Sequence, residues 1–413
     1  MATSVPFRLS QISPAQRRTL VAAMLGWMLD AFDVMLYALV LAHVMRDLGM
    51  TKATAGLLGT LTLLASGIGG LLFGFIADRV GRTKALMLSI LTYSVCSFAS
   101  GLATSVAMLA VFRFILGLGM GGEWNTGATL VAETWPTHLR AKAMALVQSS
   151  WAIGYALAAL VAGIVLKFYD WRAVFFVGVL PALVTLWIRK DVPESEMWRE
   201  HRLPARAGVQ PTLAEIFSPS YVKPTFALLF LNFFGMFAWW GLFTWVPSYL
   251  TLPVSQGGRG FAVAQMTTML VVLNLTGMLP GYISFGWVAD RLGRRKAFIL
   301  YTLMAALLVP VYALAHDPWK LLLLGTPIAF FGTGFFSGSG VAGSEIFPTA
   351  IRARALGFTY NGARTLSSVA PFVIGWVGQR HGLDAAFFLC AGSFLLAALT
   401  ASQLPETKGK DLR

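Results

Sequence analysis

The sequence predicts an all-α polytopic membrane protein, with twelve transmembrane helices in two pseudo-symmetric six-helix bundles. Composition, the spacing of apolar runs and an internal repeat carry that prediction. Hydrophobic residues form 57% of the 413-residue chain and charged residues 12%, about half the roughly 25% charge of a soluble domain. Mean hydropathy is +0.69. With 18 Asp and Glu, a soluble surface of this size could not be covered, which excludes a soluble enzyme. Cys96 and Cys390 both lie in apolar runs, so neither a disulfide framework nor a cysteine metal site is expected. The net charge of +14 is broken into short clusters between apolar runs. That is the pattern of basic loops at a membrane surface, not of a nucleic-acid stripe. Residues 1–16 are polar and lack the apolar core of a cleavable signal peptide.

A span needs about 20 mostly apolar residues. Candidates run at about 20–45, 54–77, 84–103, 106–134, 141–167 and 171–189, then at about 225–250, 262–289, 297–315, 319–346, 353–379 and 384–404. The polar stretch between the two groups divides the chain into an N-terminal bundle over 1–190, a cytoplasmic linker over 191–222 and a C-terminal bundle over 223–413. With both termini inside, 23 of the 32 Lys and Arg fall in cytoplasmic segments, 7 in outer loops and two, Arg113 and Arg364, within spans. The positive-inside rule therefore places both termini in the cytoplasm and the chain in the cell (inner or plasma) membrane.

The repeat is explicit. Gly74-Phe-Ile-Ala-Asp78-Arg79-Val-Gly81-Arg82-Thr-Lys84 joins the second and third spans. Its counterpart, Gly286-Trp-Val-Ala-Asp290-Arg291-Leu-Gly293-Arg294-Arg295-Lys296, joins the eighth and ninth. Glu133-Thr-Trp-Pro136-Thr-His-Leu-Arg140 and Glu345-Ile-Phe-Pro348-Thr-Ala-Ile-Arg352 are separated by the same offset as Gly74 and Gly286. Two motifs with one offset align the halves without a gap. Parallel repeats of this kind place a substrate site near the midplane between them.

The doubled Gly-x3-Asp-Arg-x-Gly-Arg-x-Lys loop resembles the signature loop of the major facilitator superfamily, and the likeness spans the whole chain. It implies the major facilitator fold and alternating access. It also implies that Asp78, Arg82, Glu133 and Arg140, with their counterparts Asp290, Arg294, Glu345 and Arg352, gate the cytoplasmic side. As plain interfacial charges they would instead only fix topology.

Inside the spans an ionisable residue costs about 2.5–3.5 kcal/mol on insertion scales, so each is a functional candidate. Asp30 and Asp33 share one helix face at i,i+3. They lie roughly 15 and 20 Å from the cytoplasmic end of the first span. Two close carboxylates repel, which favours protonation of at least one. Glu123, about 16 Å from that same side in the fourth span, matches the depth of Asp30. These three are the proton-coupling candidates. Arg113 lies further out in the fourth span, where it would pair with Asp33 or hold the N-terminal half together. Its repeat equivalent is Gly325, so the repeat scaffold does not require it. Arg364, in the eleventh span, has Ala152 as its equivalent and no mid-span carboxylate in its own half. It either binds an anionic substrate through a bidentate fork or pairs with the first-span aspartates. Asn361, three residues earlier, shares its face.

The seventh span is crowded with aromatic residues, Trp239 and Trp240 at its centre. Some rings would face lipid, and others would wall a cavity for a solute with an apolar body. Asn125, Asn274, Tyr37 and Tyr360 complete the substrate candidates, with Gln148 and Tyr155 behind them.

Leu29-Asp30-Ala-Phe-Asp33, Gly121-Gly-Glu123, Leu186-Trp-Ile-Arg-Lys190-Asp-Val-Pro193-Glu194 and Gly357-Phe-Thr-Tyr360-Asn361 resemble the sialate and lactate (organic acid) proton-symporter branch, with some likeness to aromatic acid symporters. That branch commonly has Gly where Ala31 stands, and the bacterial sialate carriers insert two spans that 191–222 cannot hold. The resemblance implies proton-coupled symport of an organic anion: a monocarboxylate, a sialate-like sugar acid or an aromatic acid. The alternative is a uniporter or exporter of a neutral solute, the buried charges being structural. Partners are then a small organic anion, protons and the bilayer. The expected working unit is a monomer with no cofactor, no metal and no enzymatic activity.

Overall fold

The computed structural model describes residues 12–196 and 213–408. Among these, twelve helical rods form two six-helix bundles. The first bundle contains α1 (Pro14–Asp47), α2 (Lys52–Val80), α3 (Arg82–Gly101), α4 (Val106–Thr134), α5 (Thr137–Phe168) and α6, which is broken into Trp171–Val177 and Ala182–Asp191. The second contains α7 (Val222–Thr251), α8 (Val263–Leu292), α9 (Arg294–Leu314), α10 (Pro318–Ile346), α11 (from Thr349 to His381) and α12 (Leu383–Ala401). Ten of the described helices are long and apolar enough to cross a membrane. Most overrun the apolar runs read from the sequence, because capping residues carry the helices into the interface. Ser13 and Gln16 form a reciprocal capping box ahead of α1, and Thr51, Ser105 and Asp317 cap α2, α4 and α10.

Three rods are less regular than expected. α6 breaks at 178–181, around Gly178 and Pro181. α8 and α11 each contain one turn of π-helix, Leu273–Met278 and Gly357–Asn361. Such turns shift the helix face that follows them.

The motif loops take the same geometry in both halves. Gly81 and Gly293 turn at φ 110° and 99°, where a side chain would be strained. The helices that follow have no local cap. Instead Glu194 accepts from the amides of Arg82 and Thr83, and its repeat equivalent, Glu406, accepts from Arg294 N at 2.9 Å. A carboxylate there meets the positive end of the helix. Arg82 pairs with Asp78 and with Glu133 at 3.1 Å; Arg294 pairs with Asp290 at 2.7 Å and Glu345 at 2.8 Å. These networks tie helices within one half rather than across the two. Arg352 turns its Nε to the Phe347 carbonyl, and the Arg140 side chain lies outside the described residues.

Hydrogen bonds between the halves gather toward the face opposite the termini, here called the far face. Lys52 Nζ donates to the Gln256 carbonyl at 2.6 Å and the Gly378 carbonyl at 3.3 Å. Ala53 N donates to Gln379, Phe372 N to Thr60, and Tyr155 to the Phe243 carbonyl. Gly56 and Gly375 let the α2 and α11 backbones touch: a Cβ at either would collide with a carbonyl of the other helix.

Burial opposes ionisation of Glu406, but the amides of Arg294, Lys408 and Thr407 outweigh it and hold its carboxyl below the usual glutamate range. Its contribution is therefore present above the unfolded pKa and lost as pH falls through the lower folded value. Thermal unfolding of wild type and Glu406→Gln should differ most near neutral pH and converge as pH falls below the ordinary glutamate range. Parallel curves would show that the carboxylate does not hold α9.

Candidate functional site

Where the halves meet at mid-membrane, α1, α4 and α11 bring three charges together. Asp30 is fully buried and neither of its oxygens has a donor. Glu123 lies against α1 because Gly26 has no side chain: a Cβ there would overlap the carboxylate. Arg364 reaches from the other half and is the cation acting on both acids, yet its Nη2 has no acceptor. No ion pair closes among the three.

Asp33 lies one turn further along α1 and accepts from Ser97 Oγ at 2.9 Å. Gly178, at the break in α6, makes room for that contact, since a side chain there would overlap both partners. The expected pairing of Arg113 with Asp33 does not close. Ser97 holds the carboxylate, while the guanidinium lies over the Tyr37 ring, 4.7 Å from its centroid.

Beside Arg364 is a narrow cavity of about 20 Å³. Trp27, Trp151, Trp239, Trp240, Tyr282 and Phe336 wall it, and Gln148, Tyr360 and Arg364 supply its polar groups. The indoles are packed into a box. Trp27 touches Trp124 at 4.4 Å and Trp151 at 4.7 Å between ring centroids, and Trp240 meets Trp151 edge-on at 5.8 Å. Trp239 is oriented by its Nε1–H, which donates to Thr333 at 3.2 Å.

Of the substrate candidates read from the sequence, Arg364, Tyr360, Trp239 and Trp240 line this cavity. Asn361 sits beside it in the π-turn of α11. Asn125, Asn274 and Tyr37 do not line it. Asn125 donates to the Gly70 carbonyl at 3.0 Å and ties α4 to α2; Asn274 donates back to Leu270 at 2.8 Å; Tyr37 donates to Ala55 at 2.8 Å. Sequence reasoning passed over Trp27, Trp151, Tyr282 and Phe336. The repeat contained a signal for some of them, because its offset also relates Trp27 to Trp239, Gln148 to Tyr360 and Trp124 to Phe336.

The family model for the Major Facilitator Superfamily matches residues 23–279 and 256–412. This chain belongs to that superfamily. It is a multi-pass membrane transporter and not an enzyme. It is 34% identical to the sialic acid transporter NanX of Escherichia coli (strain K12), over 96% of each chain. It is 30% identical to the cis,cis-muconate transport protein of Acinetobacter baylyi (strain ATCC 33305 / BD413 / ADP1), over 94% of each. The fold matches the crystal structure of a D-xylose–proton symporter with TM-score 0.77 at 21% identity, covering 95% of this chain and 99% of that one.

Because the Asn125 amide joins two helices and not the cavity wall, Asn125→Ala should lower stability by about 0.6 kcal/mol, with an upper bound of about 1.7, as for interhelical hydrogen bonds in membranes. Unfolding titrations in detergent measure this. Unchanged stability would show that the contact is not holding α4 to α2.

Proposed function

We propose that the transporter carries a flat, unsaturated or aromatic carboxylate together with protons, binding the anion at Arg364 and the protons at Asp30 and Glu123. One observation carries this reading. Arg364 stands without an ion-pair contact in an aromatic-walled cavity and faces two buried carboxylates of the other half. A guanidinium offers a planar fork to a carboxylate, and the indoles offer flat apolar faces to the rest of the solute. The polar lining is too sparse to satisfy the many hydroxyls of a sugar acid. The relatives that transport sialic acid and cis,cis-muconate support an acidic substrate.

The cycle follows from charge. With Asp30 and Glu123 ionised, both compete with the substrate for Arg364. Protonation removes that competition, so the anion and the protons load together. The neutralised interface then lets the halves pivot, with 1–190 and 223–413 moving as bodies joined by 191–222. Asp33, held by Ser97, is a reserve proton carrier beside them. The Arg82 and Arg294 networks hold each half's helix ends in register while the gate opens. With the termini cytoplasmic, the far face is external, and the state described here is closed to the outside. A single chain contains the whole pathway and works as a monomer in the inner membrane.

Benzoate is a suitable probe. Charge-assisted hydrogen bonds contribute about 1.5–3 kcal/mol, so Arg364→Ala should weaken benzoate binding about 10- to 150-fold. Asp30→Asn with Glu123→Gln should keep binding but lose accumulation under a pH gradient. Wild-type affinity in Arg364→Ala, or pH-driven accumulation in the double variant, would overturn the assignment.

A further inference from the structure

A second, narrow cavity, of about 20 Å³, lies on the far-face side of the first. Trp240 lines both. The N-terminal half contributes Val34, Met35, Thr62 and Arg113 to its wall, and the C-terminal half contributes Thr244 and Pro371 alongside Trp240. Arg113 is its one charged wall residue.

That arginine is 1% exposed, and neither its Nε nor its Nη1 has an acceptor in the protein. None of its neighbours closes a hydrogen bond or ion pair with it. The Tyr37 hydroxyl donates to Ala55 and the Thr62 hydroxyl donates to Leu58 at 3.0 Å, while Asp33 uses Oδ1 to accept from Ser97 and acts on Arg113 through space without closing an ion pair. The Tyr37 ring covers one face of the guanidinium and leaves its N–H edges free. A buried cation with unused donors in an apolar cavity has the chemistry of an anion subsite. Arg113 is also absent from the repeat-equivalent position, Gly325, so helix packing common to both halves does not explain it.

We infer that Arg113 forms a second carboxylate subsite, a station between the far face and the Arg364 site. The carboxylate is held by the guanidinium, the apolar body lies against Met35 and Pro371, and movement of the Trp240 indole connects the two cavities. Because the walls come from both halves, the subsite is enclosed when the far face is sealed and opens when the halves part there. This inference rests on the carboxylate reading of the central site.

The test uses the full chain and 4-bromobenzoate. Equilibrium dialysis should give two molecules bound per chain, and anomalous scattering in crystals should place one bromine beside Arg364 and one beside Arg113. Arg364→Ala should lose only the first and Arg113→Met only the second. Thr244→Leu fills the cavity without altering a charge. It should also lose the second molecule and slow uptake from the far face several-fold, while leaving one molecule bound. One molecule in wild type, at Arg364, would overturn the second subsite and leave the central reading intact. No bromine at either arginine would overturn both.

Discussion

An ionisable side chain buried at the middle of a bilayer costs a few kcal/mol to insert, and the cost falls only when a counter-charge or ligand is supplied. Here the cost is shared across the interface between the two halves. Asp30 and Glu123 belong to one six-helix bundle and Arg364 to the other, so neither half balances its own charge. The surrounding structure serves that arrangement. Gly26 admits Glu123 to the surface of α1, Gly178 makes room for Asp33 and Ser97, and packed indoles wall the cavity that Arg364 faces. Charges held near one another without contact can each respond to a proton or an anion. A closed ion pair would have to be broken first.

The scaffold divides fixed from changing contacts. The Arg82 and Arg294 networks, each completed by a helix-capping glutamate, occupy equivalent positions of the repeat and stay inside one half. They make each bundle a body. Contacts between the bodies are smaller and concentrated toward one face, where Lys52 bridges two carbonyls and Gly56 and Gly375 bring α2 against α11. In the proposed cycle, rocking of one half against the other would release a few hydrogen bonds at that face and leave the charged networks intact.

Much of this was legible in the sequence because the hydrocarbon core imposes it. Span length set the helix count, and the doubled motif set the pseudo-symmetry. The prohibition on buried charge singled out Asp30, Glu123 and Arg364. Side-chain direction was less legible. Asn125 and Asn274 are polar and mid-span like any cavity residue, yet each is engaged with backbone, because helix rotation decides what a polar group meets; Tyr37 gives its hydroxyl to backbone and only its ring to the second cavity. The π-turns in α8 and α11 alter that rotation part-way along a helix, and hydropathy does not register them. Aromatic residues posed the opposite difficulty: an indole suits lipid and cavity equally, so composition left Trp27 and Trp151 unmarked. Pairing residues across the repeat would have found Trp27 through Trp239.

The most direct test of the coupled-charge account is proton movement measured during substrate uptake. Proteoliposomes containing the purified transporter and a trapped pH-sensitive dye would receive external benzoate, with the membrane potential clamped and protein-free vesicles as the leak control. The account predicts internal acidification above the leak that rises in proportion to benzoate uptake and disappears in Asp30→Asn, Glu123→Gln. Transporter-dependent benzoate uptake with no acidification above the leak would contradict it, leaving the buried charges as parts of the scaffold.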